Sequence, residues 1–482
     1  MTRRIVLAAV AFGLCLTAGG LAAEIGQVHL GWSKNNVYET MTVKWYSPVD
    51  ANQAVYYDID PGTLPSDYQY AVQGVSAQIQ ATEDIEGNQL DPEPQAFTGY
   101  YYTASLVGLA AGQTYSFRIF DEDHDTLTRE WLFRTIEPDE PVEFAFAGDS
   151  QRPYTSYGGV EFAQLLGRPD RPANWPYMRD FITQKAAALD PDFFLGLGDF
   201  VSRGNNQSQW DHWFEAWQEY AVTDAGRMIP IVPVIGNHEM GGYPDHDSSY
   251  EWFRGLFAIP QTPSEKLWYS LDFPNLHLTV LAATSGQVGP NMALASYEAE
   301  AQGDWLQTDL LSAPAQGARW RFVAFHYNYL GCFDACRVYP SDVYMSVWNQ
   351  ALQGGEADVV FMGHSHNYTR SWPVWLGMPN PCFGGTFDYQ LGLDSDSGIT
   401  YITHGGWGGV PTLIQDLPGT DGGCQLRDWI AAAASHPSLG YVQLNSQTCS
   451  FHVEDTAGIV IDAFGLPYVP NYIWPEYDRI VP

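Results

Sequence analysis

Between Val28 and Arg134 short runs of β-branched and aromatic residues recur, each ended by a cluster of Gly, Pro, Asp or Asn. The runs Val28–Trp32, Met41–Trp45, Ala54–Asp58, Tyr101–Leu106, Tyr115–Phe120 and Glu130–Arg134 have the apolar patterning of half-buried strands, so the front of the chain is predicted to be all-β. The Pro-rich, acidic stretch Glu137–Pro141 reads as a linker. Beyond it the period changes. Strand-like runs at Val142–Ala147, Phe193–Leu197, Met228–Ile235, Leu267–Asp272, Leu276–Ala282, Arg319–Phe325, Val359–Met362 and Gly398–Thr403 are interleaved with helical segments such as Tyr177–Leu189. Trp210, Trp213, Phe214, Trp217 and Tyr220 fall near the helical period and are read as core packing, with His212 on the opposite, solvent side. The expected fold class is α+β: a two-layer β-sandwich core flanked by helices, preceded by an all-β sandwich.

The ends of these runs carry the chemistry. Phe193–Leu197 leads through Gly198 to Asp199, and similar junctions occur at Gly148-Asp149, Gly236-Asn237-His238-Glu239, Ala324-Phe325-His326 and Gly363-His364-Ser365-His366. Each delivers a hard or borderline metal ligand to the C-terminal edge of a strand, where layered domains bind their ligands. Asp, Asn and His together suit a pair of divalent or trivalent ions. In His364-Ser365-His366 a period of two along an extended segment is expected to put both rings on one side. His404 is expected behind the ligands or in a core hydrogen bond, and Trp407 as a stacking surface at the mouth.

Composition narrows the class. A chain of 482 residues with 45% hydrophobic content has room for two or three domains with full cores. Residues 1–23 place Arg3 and Arg4 before an apolar run that ends in small residues, which is a secretory signal; Thr2–Leu7 also fits a twin-arginine pattern. No later run reaches the ~18 apolar residues needed to span a bilayer. The formal charge of -34 argues against long-range attraction to nucleic acid or anionic membranes. It suits a soluble exported protein or one adapted to salty surroundings, where repulsion is screened. A small phosphate ester would need local positive charge, which bound metals supply. Cys332, Cys336, Cys382, Cys424 and Cys449 follow the signal, and Cys332 with Cys336 reads as a structural disulfide rather than a zinc site, no second pair having finger-like spacing. Asp121, Asp123 and Asp125 alternate as in a calcium loop. Thr126 stands where such a loop needs Gly and Leu132 where it needs Glu, so a solvated acidic turn is expected.

Taken in order, the motifs GDSQ at 148–151, GDFVSRG at 198–204, GNHE at 236–239, VAFH at 323–326 and GHSHNYTR at 363–370 resemble the calcineurin-like metallophosphoesterase superfamily. Within it the chain is similar to purple acid phosphatase-like proteins, whose front domain is of the fibronectin type III kind; the stretch from Tyr101 to Asp121 resembles strands of such a sandwich. Behind the signal at 1–23, the resemblance implies a fibronectin type III-like sandwich at 24–136, a catalytic domain at 142–412 and a C-terminal segment at 413–482 that closes it. It implies that Asp199 bridges two metal ions, that Asp149 and His366 complete the first site, and that Asn237, His326 and His364 hold the second. His238 would face the substrate and Arg203 would contact phosphate oxygens, both as catalytic groups.

Three positions depart from the family pattern. Gln151 replaces a histidine common in other branches and is expected to ligate through its amide oxygen or to hold a metal-bound water. Ser202 stands where purple enzymes carry the tyrosine that colours a ferric site, so the expected cofactors are two divalent ions, Mn, Zn, Mg or Fe(II). The stretch after His326 lacks a further histidine, which leaves proton donation to His238. The implied function is an exported binuclear phosphatase acting on small phosphate monoesters by metal-bound hydroxide attack. The alternatives are a phosphodiesterase or nucleotide hydrolase of the same superfamily, or a noncatalytic secreted metal-containing binding protein.

Overall fold

The strand Val142–Ala147 is central to the larger part of the chain, and its sequence explains why: every residue except Glu143 is buried. Strands covered on both faces read as continuous apolar runs, and Phe193–Gly196 and Val359–Met362 are buried throughout in the same way. The computed structural model describes residues 25–79, 98–151, 156–157, 160–161, 178–239, 252–260, 267–283, 292–328, 341–376, 389–391, 398–409, 430–466 and 480–481. The signal segment and Cys332, Cys336, Cys382 and Cys424 lie outside these residues, while Cys449 is a buried free thiol.

Val142–Ala147 pairs in parallel with Phe193–Gly196, which pairs in parallel with Ile231–Pro233. On its other side it pairs antiparallel with Ser438–Leu444, followed by Cys449–Asp455 and Val460–Leu466, giving a six-stranded sheet. An eight-stranded sheet runs Tyr269–Phe273, Leu276–Val280, Trp320–Ala324, Val359–Met362, Thr400–His404, Tyr368–Ser371, Ile430–Ala434 and Ile480–Val481. Leu276–Val280, Trp320–Ala324, Val359–Met362 and Thr400–His404 are mutually parallel neighbours. The two sheets meet face to face through aromatic rings, Phe144 lying 6.4 Å from Phe322 and Phe146 lying 4.9 Å from Phe361. This is the expected two-layer sandwich.

Ahead of it, one sheet contains Gly26–Gly31, Thr40–Ser47, Tyr100–Val107 and Val75–Ala77, and a second contains Tyr70–Gln73, Gln53–Asp58, Thr114–Asp121 and Thr126–Leu127, with Trp131–Arg134 also on Thr114–Asp121. The strands Tyr70–Gln73 and Val75–Ala77 escaped the sequence pattern because they are mostly exposed edges without apolar alternation. The acidic turn is also corrected. Asp123 and Asp125 are exposed, but Asp121 is fully buried and accepts hydrogen bonds from Gln53 Nε2 (2.8 Å) and the backbone of Asp123 and His124.

The helix Gln207–Tyr220 joins the two parts. Its N-cap Asn206 accepts a hydrogen bond from the Gln209 backbone, and it buries Trp210, Trp213, Phe214 and Trp217 while His212 stays exposed. Its outer face meets the front sandwich, where Gln218 accepts from Val28 N (2.7 Å), Asp211 accepts from Gln27 (2.8 Å), and the His29 ring stacks 4.3 Å from Phe214. No helix among the described residues is long and apolar enough to cross a membrane.

Candidate metal centre

Parallel strands from both sheets end at one edge, in the crevice position where such sheets bind ligands. Val142–Ala147 leads to Asp149, Phe193–Gly196 to Asp199, Ile231–Pro233 to Asn237 and His238, Trp320–Ala324 to His326, and Val359–Met362 to His364 and His366. Three of these residues have a left-handed backbone: Asp149 at φ 64°, Asp199 at φ 54° and His364 at φ 68°. That conformation is disfavoured for side chains other than glycine and concentrates at functional sites. Space is equally tight, since a Cβ on Gly236 would overlap Asp199 Oδ1 and one on Gly363 would lie 3.0 Å from Asp149 Oδ2.

The polar atoms of this cluster face one another in an unusual way. His326 Nδ1 lies 2.7 Å from the Leu197 carbonyl, which can only accept, so Nδ1 carries a proton and Nε2 is the ring nitrogen turned to the cluster. That Nε2 lies 3.1 Å from Asp199 Oδ2 and 3.1 Å from Asn237 Oδ1, both acceptors. His364 Nδ1 is 3.0 Å from the same Asn237 oxygen, and ligand atoms of Asp199, His326 and His364 all fall within 4.8 Å of one another. Beside them His366 Nε2 lies 3.3 Å from Asp149 Oδ1 and 3.3 Å from the Gln151 amide nitrogen. Asp149 Oδ1 and Gln151 Oε1 are buried without a hydrogen-bond partner among the described residues. Buried oxygens left without a donor are costly, and cations relieve that cost. The donor set therefore fits a pair of metal ions.

The electrostatics agree. Burial pushes the Asp199 carboxyl up, yet His326, His238 and His364 together hold it well below the usual carboxylate range. Burial opposes the charge on His326, but the Asp199 carboxylate raises it to about 9. His364 is lowered to about 3, first by burial and then by the charge of His326. The pocket accepts positive charge at one point and resists it at the next.

His238 differs from the others in exposure: its side chain is 38% exposed against 2% for Asp199. Its Nδ1 is 2.8 Å from the Ser202 carbonyl and its Nε2 is 3.9 Å from Asp199 Oδ2, so Nε2 is the nitrogen turned toward the cluster. Burial lowers its pKa, and the Asp199 carboxylate with the Ser202 carbonyl more than reverses this. Arg203 is half-buried, its backbone N–H bonded to Gln209 Oε1 (3.0 Å), and the next residue, Gly204, donates its N–H to the His238 carbonyl (2.8 Å). The loop with Ser202 and Arg203 thus lies against the His238 turn.

Two expectations are corrected. The His364-Ser365-His366 segment is not extended. Ser365 N bonds back to Gly363 O (2.8 Å), Asn367 N to Ser365 O (2.7 Å), and the left-handed His364 turns the rings apart, one toward Asn237 and the other toward Asp149. Trp407 is not at the mouth. It is fully buried 4.5 Å from the Phe194 ring, its Nε1 donates to Thr183 Oγ1 (3.1 Å), and its backbone N–H bonds to Gly148 O (2.9 Å). A tryptophan tied by its backbone to the Asp149 turn is drawn into the core. His404 is buried with Nε2 3.2 Å from Ser438 Oγ, and burial lowers its pKa to about 4.

Sequence reasoning passed over two residues. Tyr327 packs its ring 4.3 Å from His364, a contact no motif marks. Glu239 is fully buried, and both its oxygens accept backbone N–H groups around Asp199. A glutamate placed immediately after the Gly236-Asn237-His238 junction was the available signal, because buried glutamates are rare.

Comparison with known proteins supports the same assignment. The family described as Calcineurin-like phosphoesterase matches residues 131–368, and the Purple acid Phosphatase, N-terminal domain family matches residues 25–135. The chain is 27% identical over 261 residues to Purple acid phosphatase 21 of Arabidopsis thaliana, a match covering 52% of this chain and 50% of that protein. It is 23% identical to Phosphoenolpyruvate phosphatase of Allium cepa, covering 78% of this chain and 68% of that protein. The match thus spans half the length of the first relative and about two thirds of the second. In fold it is similar to a purple acid phosphatase from yellow lupin (Lupinus luteus) seeds, with TM-score 0.65 at 17% identity over 92% of this chain and 74% of the other. Motifs, sheet edge and both family matches agree: the chain carries a calcineurin-like phosphoesterase domain behind the N-terminal domain of the purple acid phosphatases.

Proposed function

We propose that this protein is an exported, binuclear metal-dependent phosphatase acting on small phosphate monoesters, with its front sandwich at 24–136, its catalytic domain at 142–412 and a closing segment at 413–482. The observation that carries this reading is the convergence of metal-ligating atoms of Asp199, Asn237 and His326, beside the unpartnered buried oxygens of Asp149 and Gln151. Asp199, with two oxygens to share, would serve both ions. Asp149, His366 and Gln151 would hold one, Gln151 through its buried Oε1, while Asn237, His326 and His364 would hold the other. Two such ions, of the Mn, Zn, Mg or Fe(II) class, would supply an activated water and positive charge for the phosphoryl oxygens. The fixed charge of the chain repels anions, so binding of phosphate depends on that local charge.

The remaining work falls to the rim. Because the Ser202 carbonyl occupies His238 Nδ1, the exposed ring delivers its proton from Nε2 to the leaving oxygen. Arg203 would grip the phosphate with its planar fork. Ser202 offers no phenolate, so the loaded protein should be colourless rather than purple. Export rests on the N-terminal signal pattern.

Hydrolysis of p-nitrophenyl phosphate and of its bis ester, each with added Mn, Zn or Mg, tests the reading. Metal-dependent turnover favouring the monoester is expected. Preference for the diester would move the substrate class to phosphodiesters, and metal uptake without turnover would make the chain a binding protein.

A further inference from the structure

The geometry points to Glu239 as a positioning residue that locks the turns bearing Asp199 and Asn237 into the shape that receives metal. Its Oε2 accepts hydrogen bonds from Asp199 N (2.8 Å) and Gly236 N (2.8 Å), and its Oε1 accepts from Phe200 N (2.7 Å) and Val201 N (3.3 Å). These N–H groups belong to two loops, one following Phe193–Gly196 and the other Ile231–Pro233. One fully buried carboxylate therefore clamps both. Gly198 at φ 87° and Asp199 at φ 54° aim the successive N–H groups of Asp199, Phe200 and Val201 into a concave anion nest, and the Glu239 carboxylate fills it. The link is reciprocal, since the Asp199 carboxylate accepts His238 N (2.9 Å) and Gly204 N bonds to His238 O (2.8 Å).

The clamp needs a carboxylate. An amide at this position would offer one oxygen and turn its NH2 group toward N–H donors, so Glu239→Gln should release part of the Asp199 turn without changing side-chain volume. The inference rests on Asp199 and Asn237 being metal ligands, and the tests separate the two claims. Calorimetric titration of Mn or Zn into metal-free protein should show affinity about 10-fold or more weaker in Glu239→Gln, the size typical of residues that orient ligands. kcat for p-nitrophenyl phosphate should fall more than KM rises. A control is Asp462→Asn, another buried carboxylate, which accepts from the side chains of Tyr368 and Arg370 rather than from the backbone of the Asp199 and Asn237 turns; it should lower Tm and leave metal affinity unchanged. Wild-type affinity in Glu239→Gln, or an equal loss in Asp462→Asn, overturns the inference and leaves the metal centre standing. No metal uptake by the wild-type protein overturns the metal centre itself. Should Glu239→Gln not fold, hydrogen exchange of the metal-free wild-type protein decides. The amides of Asp199, Phe200, Val201 and Gly236 should exchange slowly and as one group, and fast or independent exchange contradicts the clamp.

Discussion

His238 and Asp199 lie 3.9 Å apart yet are expected to respond differently to substitution, because one is turned to solvent and the other is enclosed by ligand atoms. His238→Ala should lower turnover about 100-fold, the usual weight of a general acid, while metal content measured on the same sample is unchanged. Loss of metal in that variant would show His238 to be a ligand. At this scale the convergence of the candidate ligands was legible in the sequence wherever one follows a glycine or an apolar run at a strand end, as Asp149, Asp199, Asn237, His326 and His364 do. Glu239 was not legible in the same way. Its partners are backbone N–H groups, which have no letter in the sequence, and only the left-handed turn at Asp199 brings them together.

Strand ends and hairpins are where geometry is least forgiving. The Cβ introduced by Gly236→Ala would overlap the Asp199 carboxylate and backbone, so that variant should lose bound metal and Tm together, whereas Gly317→Ala, with open space around the new Cβ, should leave both unchanged. Elemental analysis and thermal melts check this, and a metal-replete Gly236→Ala protein would contradict it. A second element-scale feature joins the hairpin Tyr269–Phe273 and Leu276–Val280 to the helix Met292–Leu310. His277 lies between Asp272 (2.6 Å) and Asp309 (3.0 Å), and although burial lowers its pKa, its bonds to these carboxylates raise it to about 9. The folded pKa exceeds the ordinary 6.5, so the stabilisation is fully present below 6.5 and is lost as pH rises through about 9. The shift corresponds to a contribution of the order of 3 kcal/mol. Thermal melts from pH 6 to 10 should show Tm falling across that window in the wild-type protein and a flatter profile in His277→Asn; parallel profiles would contradict it. The sequence pattern placed these strands but not the turns after them. The His364 segment and the Trp407 loop read as extended or exposed because their shape is set by backbone bonds to Gly363 and Gly148, partners that periodicity does not see.

Across the whole molecule one apolar core runs from Val28 and Trp45 in the front sandwich, through Phe214 and Trp407, to Phe451 and Phe464 in the last strands. Polar contacts follow the same path, with Arg134 Nη2 donating to Asp192 Oδ1 (2.9 Å) and Arg227 to Asp190 (2.6 Å). The front sandwich thus braces the helix and loops that precede the metal edge. The overall plan, all-β front and two-layer core, was legible from strand-like runs and the linker at Glu137–Pro141, since both are written in local composition. The packing of sandwich against helix was not, because it depends on polar residues such as Gln27 and Gln218 meeting across long stretches of sequence. The most direct measurement is the metal content of protein purified without chelators, read beside its phosphatase activity. The account predicts two ions per chain, activity lost on chelation and restored by one of Mn, Zn, Mg or Fe(II), and no purple colour. A protein that takes up no metal on reconstitution, or that hydrolyses phosphate esters equally well when metal-free, would contradict it.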